Sequence, residues 1–212
     1  MNRTLAEATL DPETCLAAGV TAAGPYVVRP AGPQDAATIR EFITNLSVQT
    51  QYLRFFTVVS PPSGGLLRAL AGGPRADILI ITDELGVVIG HGMAVDADHA
   101  DRVCADIGLV IADSWQGQGL GTVLLQVLVD RAARRGVSGL LLEVLPGNRR
   151  MLGIISRRWP DAERRRTADA ISVSVRIDHP RAGLNPEHSS PQQASYQGGR
   201  HERDRSAAYT GR

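Results

Sequence analysis

The sequence predicts an α/β fold in which helices pack on a central mixed, mainly antiparallel sheet. Three observations predict it. Short apolar strand-like runs alternate with helix-period segments from about residue 26 to 178, and three of the runs follow one another as a meander. A glycine-rich stretch then separates an apolar strand from an amphipathic helix. A chain of 212 residues holds one such domain with tails.

Tyr26-Val27-Val28-Arg29-Pro30 reads as a short strand stopped by proline. Pro33-Gln34-Asp35 opens a helix, because Ala36, Ile39, Phe42 and Ile43 recur at helical spacing, and a second helix is expected from Val48 to about Phe56. Ala76 to Thr82 is an apolar strand, Asp83-Glu84-Leu85-Gly86 a turn, and Val87 to Val95 the returning strand. Val103 to Ala112 completes the meander. A helix from about Gly119 to Arg135 stops at Gly136, and a strand from Gly139 to Val144 follows. A helix from about Asn148 to Arg157 and a strand from Ala170 to Ile177 close the domain. Residues 1–25 show no period and are expected as a flexible leader. Residues 179–212, rich in Pro, Ser, Gln, Gly and Arg, are expected as a disordered tail around a domain at 26–178.

The formal net charge is +1, from 23 basic and 22 acidic residues, which suggests neither nucleic acid nor an anionic membrane as partner. No stretch approaches the roughly 18 apolar residues of a membrane helix. Met1 to Leu10 carries Arg3, Glu7 and Thr9 in place of a signal peptide's apolar run, so a cytoplasmic address is expected. Cys15 and Cys104 lack the number and spacing of a disulfide framework or metal site, and no metal is expected.

The most informative stretch is Asp113-Ser114-Trp115-Gln116-Gly117-Gln118-Gly119-Leu120-Gly121-Thr122. It lies where the third meander strand gives way to a helix with Leu120, Leu124 and Leu128 on one face. A helix start leaves backbone N–H groups unpaired and partly positive, which suits a phosphate or diphosphate. Glycines 117, 119 and 121 let an anion approach without a Cβ in the way. A dinucleotide fingerprint would need glycine where Thr122 stands, and a P-loop would need lysine. A structural turn with helix-start glycines is a further reading of the same residues.

Gln116-x-x-Gly119-x-Gly121 resembles the Gln/Arg-x-x-Gly-x-Gly/Ala signature of the GNAT superfamily of acyl-CoA-dependent N-acyltransferases. The preceding strand, the following helix, the strand ending Glu143-Val144 and the Asn148-led helix come in family order, so the resemblance covers about residues 26–178. Leu46-Ser47, Gln51-Tyr52-Leu53-Arg54-Phe55-Phe56, Ala112 to Gly117, and Glu143-Val144-Leu145 with Asn148 and Met151 are similar to bacterial protein lysine acetyltransferases. A helix burying its aromatics is the packing account of Tyr52 to Phe56; shaping the acceptor mouth is the functional one. Those relatives are often fused to regulatory modules. Residues before the domain are too few here for one, so cyclic-nucleotide control is not carried over.

The resemblance implies a GNAT-like fold and transfer of acetyl from acetyl-CoA to a primary amine by direct attack in a ternary complex, with a protein lysine as the leading acceptor. A small amine or antibiotic is the second acceptor reading, and a non-catalytic acyl-CoA sensor the third; a homodimer is compatible with all of them. The pantetheine is expected along Leu109, Val110 and Ile111, through main-chain groups, with the N–H of Leu109 or Val110 facing the thioester oxygen. Gln116, Gly117, Gln118, Gly119, Leu120, Gly121 and Thr122 are expected to hold the diphosphate. Asn148, also a plausible N-cap, and Met151 are expected at the pantetheine. Asp106 aligns with a family glutamate that acts as base, through a water because aspartate is shorter, with a pKa raised by burial or apolar neighbours. His91 and Glu143 are reserve bases. The family's tyrosine acid falls at Ile155, and Trp159-Pro160 replaces its usual Gly-Phe. The chain contains no lysine: all 23 basic residues are arginine, as a GC-rich genome favours, and as an enzyme that avoids modifying itself would also require.

Overall fold

The structure is a computed structural model that describes residues 14–73, 75–99 and 102–177. Its elements are β1 (Ala17–Thr21), β2 (Gly24–Pro30), α1 (Ala36–Asn45), α2 (Val48–Phe55), α3 (Gly64–Ala71), β3 (Ala76–Asp83) and β4 (Val88–His99). There follow β5 (Arg102–Ile111), α4 (Leu120–Arg134), β6 (Gly139–Val144), α5 (Arg149–Arg158), β7 (Glu163–Arg166) and β8 (Ile171–Arg176). One sheet forms in the order β1-β2-β3-β4-β5-β6-β8-β7. Every neighbouring pair is antiparallel except β5 and β6, so the expected mixed, mainly antiparallel sheet is what the chain builds.

Helices cover both faces. Leu120, Leu124 and Leu128 of α4 pack against Leu79, Ile81, Ile107 and Ile111 on one face. On the other, α1 and α3 bury Ile39, Phe42, Ile43, Leu67 and Leu70 against Ile80, Val88 and Val110. β3 is buried on both sides, which is why it reads as the unbroken run Ile78-Leu79-Ile80-Ile81. Each such side chain contributes roughly 1.5–3 kcal/mol of burial. Ion pairs fix the ends of the helices. Arg29 donates a two-pronged fork to Asp35 at 2.9 and 2.7 Å, and this first of all holds the Asp35 carboxyl below its ordinary pKa. Arg131 and Arg135 at the end of α4 converge on Asp77 of β3 at 2.7 and 2.6 Å.

Three elements depart from the sequence reading. The sheet starts within the expected leader: β1 pairs with β2, and Thr21 Oγ1 donates to Gly24 O across the turn. Val20 points to solvent, so main-chain pairing rather than an apolar pattern makes this strand. Helix α3 follows two prolines and opens on Gly64-Gly65, which reads as a loop. Ser63 caps it by accepting from Leu66 N–H, and Leu67 and Leu70 anchor it. Glu163-Arg164-Arg165-Arg166 is exposed throughout and becomes β7 as the charged edge of β8. The expectations for residues 1–13 and 178–212 lie outside the described residues.

Candidate active site

Strand β5 makes the site by changing partners. It pairs with β4 along its length, from His99↔Arg102 to Gly90↔Ile111, but with β6 only at Cys104↔Gly139, Ala105↔Leu140 and Asp106↔Leu141. Beyond Asp106 the two parallel strands diverge. Ala112 N–H donates to Ile89 O, and an antiparallel ladder bonds alternate residues to the same neighbour. Val110, Gly108 and Asp106 therefore turn their main chain to β4, while Ile107, Leu109 and Ile111 turn theirs to the gap. This narrows the expectation: Leu109 offers its N–H and C=O to a ligand, whereas Val110 is tied into β4 with its side chain buried in the α1–α3 core.

The gap widens into a cavity of about 1140 Å³. Its walls include Asp106, Leu109, Val110, Ile111, Gln116, Gly117, Gly119, Leu120, Gly121, Thr122, Asn148 and Met151, so one space brings together all but one of the expected site residues. Gly117 at φ +81° and Gly119 at φ +87° adopt the left-handed conformation that favours glycine, and a Cβ on either would project into open space. Gly121 has no such strain, and a Cβ there would meet only ordinary contacts with Ile154, Leu109 and Ile111. Thr122 and Val123 N–H groups return to Gly119 O, leaving the amides of Leu120 and Gly121 at the helix mouth, where the dipole of α4 adds positive potential. The Leu120 side chain belongs to the core, so its contribution to a ligand is main chain alone.

Protein groups occupy the side chains of both glutamines, which leaves their main chain for a ligand. Gln118 is the expected residue missing from the cavity wall: its Oε1 accepts from Ala23 N–H at 2.9 Å and its Nε2 donates to Ser114 O, fastening the β1–β2 turn to the loop. Gln116 lines the cavity, but Nε2 donates to Ile111 O at 3.0 Å and to Thr50 Oγ1, and Oε1 accepts from Arg150 at 2.6 Å. Asn148 caps α5 by accepting from Met151 N–H with Oδ1, which leaves its amide NH₂ on the cavity side of the residue as the donor.

Asp106 is exposed where the strands part, so the burial expected to raise its pKa is absent. Glu143 also lines the cavity and is exposed. His91 is not a base: it is wholly buried away from the cavity, its Nε2 lies 2.8 Å from Leu70 O, and burial pushes its pKa down to about 4. Ile155 does not occupy the acid position either, since it is buried in the core. Ile154 and Arg157 are the neighbouring residues of α5 that face the cavity.

Helix α2 forms the opposite lip, and the packing expectation holds in it for Phe55 alone of the aromatics, which lies against the α1–α3 core. Its buried residues are Thr50 and Gln51, while Tyr52 and Phe56 are exposed and Phe55 is half-buried. Asp113 accepts from Ser47 N–H and from the Ser47 and Thr50 hydroxyls. Burial would raise the Asp113 pKa, but these bonds and one from its own N–H outweigh it and leave it lowered. Arg54 reaches from α2 across β5 at Gly108, and burial lowers its guanidinium to a pKa of about 10. Arg149, Arg150 and Arg157 add a cationic rim from α5. Sequence reasoning missed these arginines; Arg54 lay within a segment read for its aromatics.

The sequence model of the acetyltransferase (GNAT) family matches residues 47–157. An acetyltransferase of Pseudomonas aeruginosa is 28% identical over 144 residues, 64% of this chain and 77% of that protein. The acetyltransferase Pat of Mycolicibacterium smegmatis is 30% identical over 135 residues, 62% of this chain but 40% of its own length. Among solved structures, the GNAT domain of S. lividans PAT has a TM-score of 0.68 at 21% identity, covering 76% of this chain and 96% of that one. Spermidine N-acetyltransferase from Vibrio cholerae, solved with CoA and spermine, shares the fold with a TM-score of 0.56 at 14% identity, covering 71% and 95%.

Proposed function

The chain belongs to the acetyltransferase (GNAT) family and is an acyltransferase, and on that premise we propose that it moves the acetyl group of acetyl-CoA onto a protein lysine amine. The divergence of β5 from β6 beyond Asp106 carries the reading. It leaves an unpaired strand edge that leads to a helix mouth, which is the arrangement a long ligand with an amide arm and a diphosphate would use.

The cavity and its residues fit that ligand. Leu120 and Gly121 amides would bind the diphosphate, with Gly117 and Gly119 keeping side chains out of its way and the α5 arginines offsetting its charge. Leu109 would pair with the pantetheine through N–H and C=O, and Asn148 would donate to one of its carbonyls. Acetyl-CoA supplies the activated acyl group. The Leu109 N–H would stabilise negative charge developing on the acyl oxygen. Asp106 would accept the proton of the attacking amine through a water; lysine, with a pKa near roughly 10.4, must lose that proton to attack. None of Met151, Ile154 and Arg157 on the α5 wall is a ready proton donor to sulfur, so the thiolate would leave unprotonated.

The α2 lip supports a polypeptide acceptor: Val48, Tyr52, Phe56 and Val58 form an exposed apolar margin, as a docking peptide would need. A small-amine acceptor is the second reading, in keeping with the spermidine enzyme of the same fold. Incubating the full chain with acetyl-CoA and either intact proteins or small amines separates the two. Acetyl-lysine in the proteins is expected; modification of small amines alone would overturn the lysine assignment.

A further inference from the structure

Arg54 stands at the acceptor side of this cavity without a partner. A Cβ built on Gly108 would lie 2.5 Å from its Nη2, 2.6 Å from its Cζ and 2.8 Å from its Nη1, so the guanidinium rests directly on β5 where only glycine leaves room. Its Nε is buried without a hydrogen-bond partner, and among the described residues the guanidinium makes no hydrogen bond or ion pair. Its Cζ lies 5.1 Å from the Phe55 ring centroid, and its positive charge adds to the burial and so helps to hold the His91 imidazole neutral. Arg29, Arg131 and Arg135, by contrast, all reach a carboxylate. Arg158 also has an unpartnered Nε, but it lies over Trp159 and off the cavity wall. A buried cation is normally paired, because desolvation is otherwise uncompensated.

The position says which ligand brings the anion. Gly108 shares a face of β5 with Asp106 and Val110, the face packed by α1 and α3 and opposite α4. The helix mouth that suits a diphosphate begins beyond Ala112, roughly 13 Å further along the strand. Coenzyme A phosphates therefore do not reach Arg54, and the acceptor is the remaining source. Asp106, on the same face, lies two residues before Gly108, roughly 7 Å along the strand. The two side chains present opposite charges to one molecule.

We infer that the acceptor carries a carboxylate beside its reacting amine and that Arg54 receives it, making Arg54 a specificity-determining residue. This rests on the transferase reading above. A guanidinium offers parallel N–H donors that match a carboxylate's two oxygens. The carboxylate has two sources: an acidic residue next to the target lysine in a protein, or the α-carboxylate of a free amino acid.

Calorimetry on the CoA-bound full chain tests this without turnover. The probes are lysine peptides with Glu or Gln at each of the four positions flanking the lysine, and L-lysine against L-lysinamide. The carboxylate member of at least one pair is expected to bind roughly tenfold tighter or more, as for a charge-assisted bond. Arg54→Gln, with CoA affinity unchanged as the check on folding, should erase that preference, while Arg54→Lys should keep part of it. Preference among the peptides assigns a protein acceptor; preference for lysine over its amide assigns a free amino acid. Equal affinity in every pair, binding by no probe, or a preference that survives Arg54→Gln overturns the inference. Thiol release from acetyl-CoA is then read separately. If the preferred carboxylate probe binds without release, the transferase reading fails while the Arg54 site stands.

Discussion

An unpaired buried guanidinium should make the ligand-free protein less stable than it could be, and Arg54→Met measures by how much. Burial holds the group at a pKa of about 10, well below the ordinary guanidinium range. At about 1.4 kcal/mol for each tenfold change, that depression amounts to roughly 3 kcal/mol against the folded state. The sign follows from the protonation states. Below a pH of about 10 the group is charged in both folded and unfolded chains, so the whole penalty is present at neutral pH. It is relieved only as pH rises above about 10 towards the ordinary guanidinium range. Methionine keeps much of the length and packs on apolar surface, but it gives up the Phe55 ring contact, worth roughly 0.5–1 kcal/mol. A net gain of about 2 kcal/mol is expected, which in a domain of this size raises the melting temperature by roughly 4–8 °C. Thermal and urea unfolding of the ligand-free variant at pH 7 read this directly. A lower melting temperature would refute the reasoning, because Arg54 would then be a structural contact instead of a stability cost kept for a ligand.

The remaining expectations concern the cofactor loop, the proton acceptor and the buried histidine. Gly119→Asp introduces a carboxylate into the open space at the helix mouth and should weaken coenzyme A binding roughly tenfold or more; unchanged affinity by calorimetry would remove the loop from the mechanism. Asp106→Asn should lower turnover roughly tenfold or more with little change in acetyl-CoA affinity, and equal turnover across roughly pH 7–9 would show that the carboxylate accepts no proton. His91, at about 4 in the fold against 6.5 ordinarily, stays neutral while the unfolded chain takes up a proton. Stability should therefore fall as pH drops from about 6.5 to 4, by up to roughly 3 kcal/mol. Urea unfolding at pH 7 and 5 should show about 2 kcal/mol of that loss in the parent and a smaller one in His91→Gln; identical losses would contradict it.

What was legible in the sequence is what a single element states by itself. Ile78 to Ile81 could be read as a buried strand, and Leu120, Leu124 and Leu128 as a buried helix face, because burial leaves a periodic apolar record. The helix mouth was legible for a related reason: its donors are main-chain groups, and glycines 117 and 119 mark the backbone conformation. β1, α3 and β7 were not, since β1 and β7 exist through pairing with a neighbour and α3 through one serine cap and two leucines. Arg54 was invisible for the same cause. Nothing near it in the sequence says that its guanidinium will lie on Gly108 of a distant strand. Gln116 shows the limit of a motif: the signature marks the residue, but its side-chain partners, Ile111 O, Thr50 and Arg150, lie outside the signature.

That glutamine explains how the two halves of the cavity hold together. Of the aromatics of the α2 segment only Phe55 packs on the core, and the helix is held as well by polar bonds to the residues that follow β5. Asp113 takes Ser47 and Thr50, Thr50 takes Gln116, and Gln116 grips both the end of β5 and Arg150 at the start of α5. Gln51 closes the other side of α2 by donating to Ile43 O and Leu46 O and accepting from Val59 N–H. Polar bonds have directions where apolar contacts do not, so they fix the rotation of α2 about its axis as well as its distance from the sheet. Rotation is what determines whether Arg54 meets Gly108 or solvent. The residues that shape the helix mouth therefore also aim the guanidinium, and the position of the acceptor's anion is set by the same loop that holds the donor.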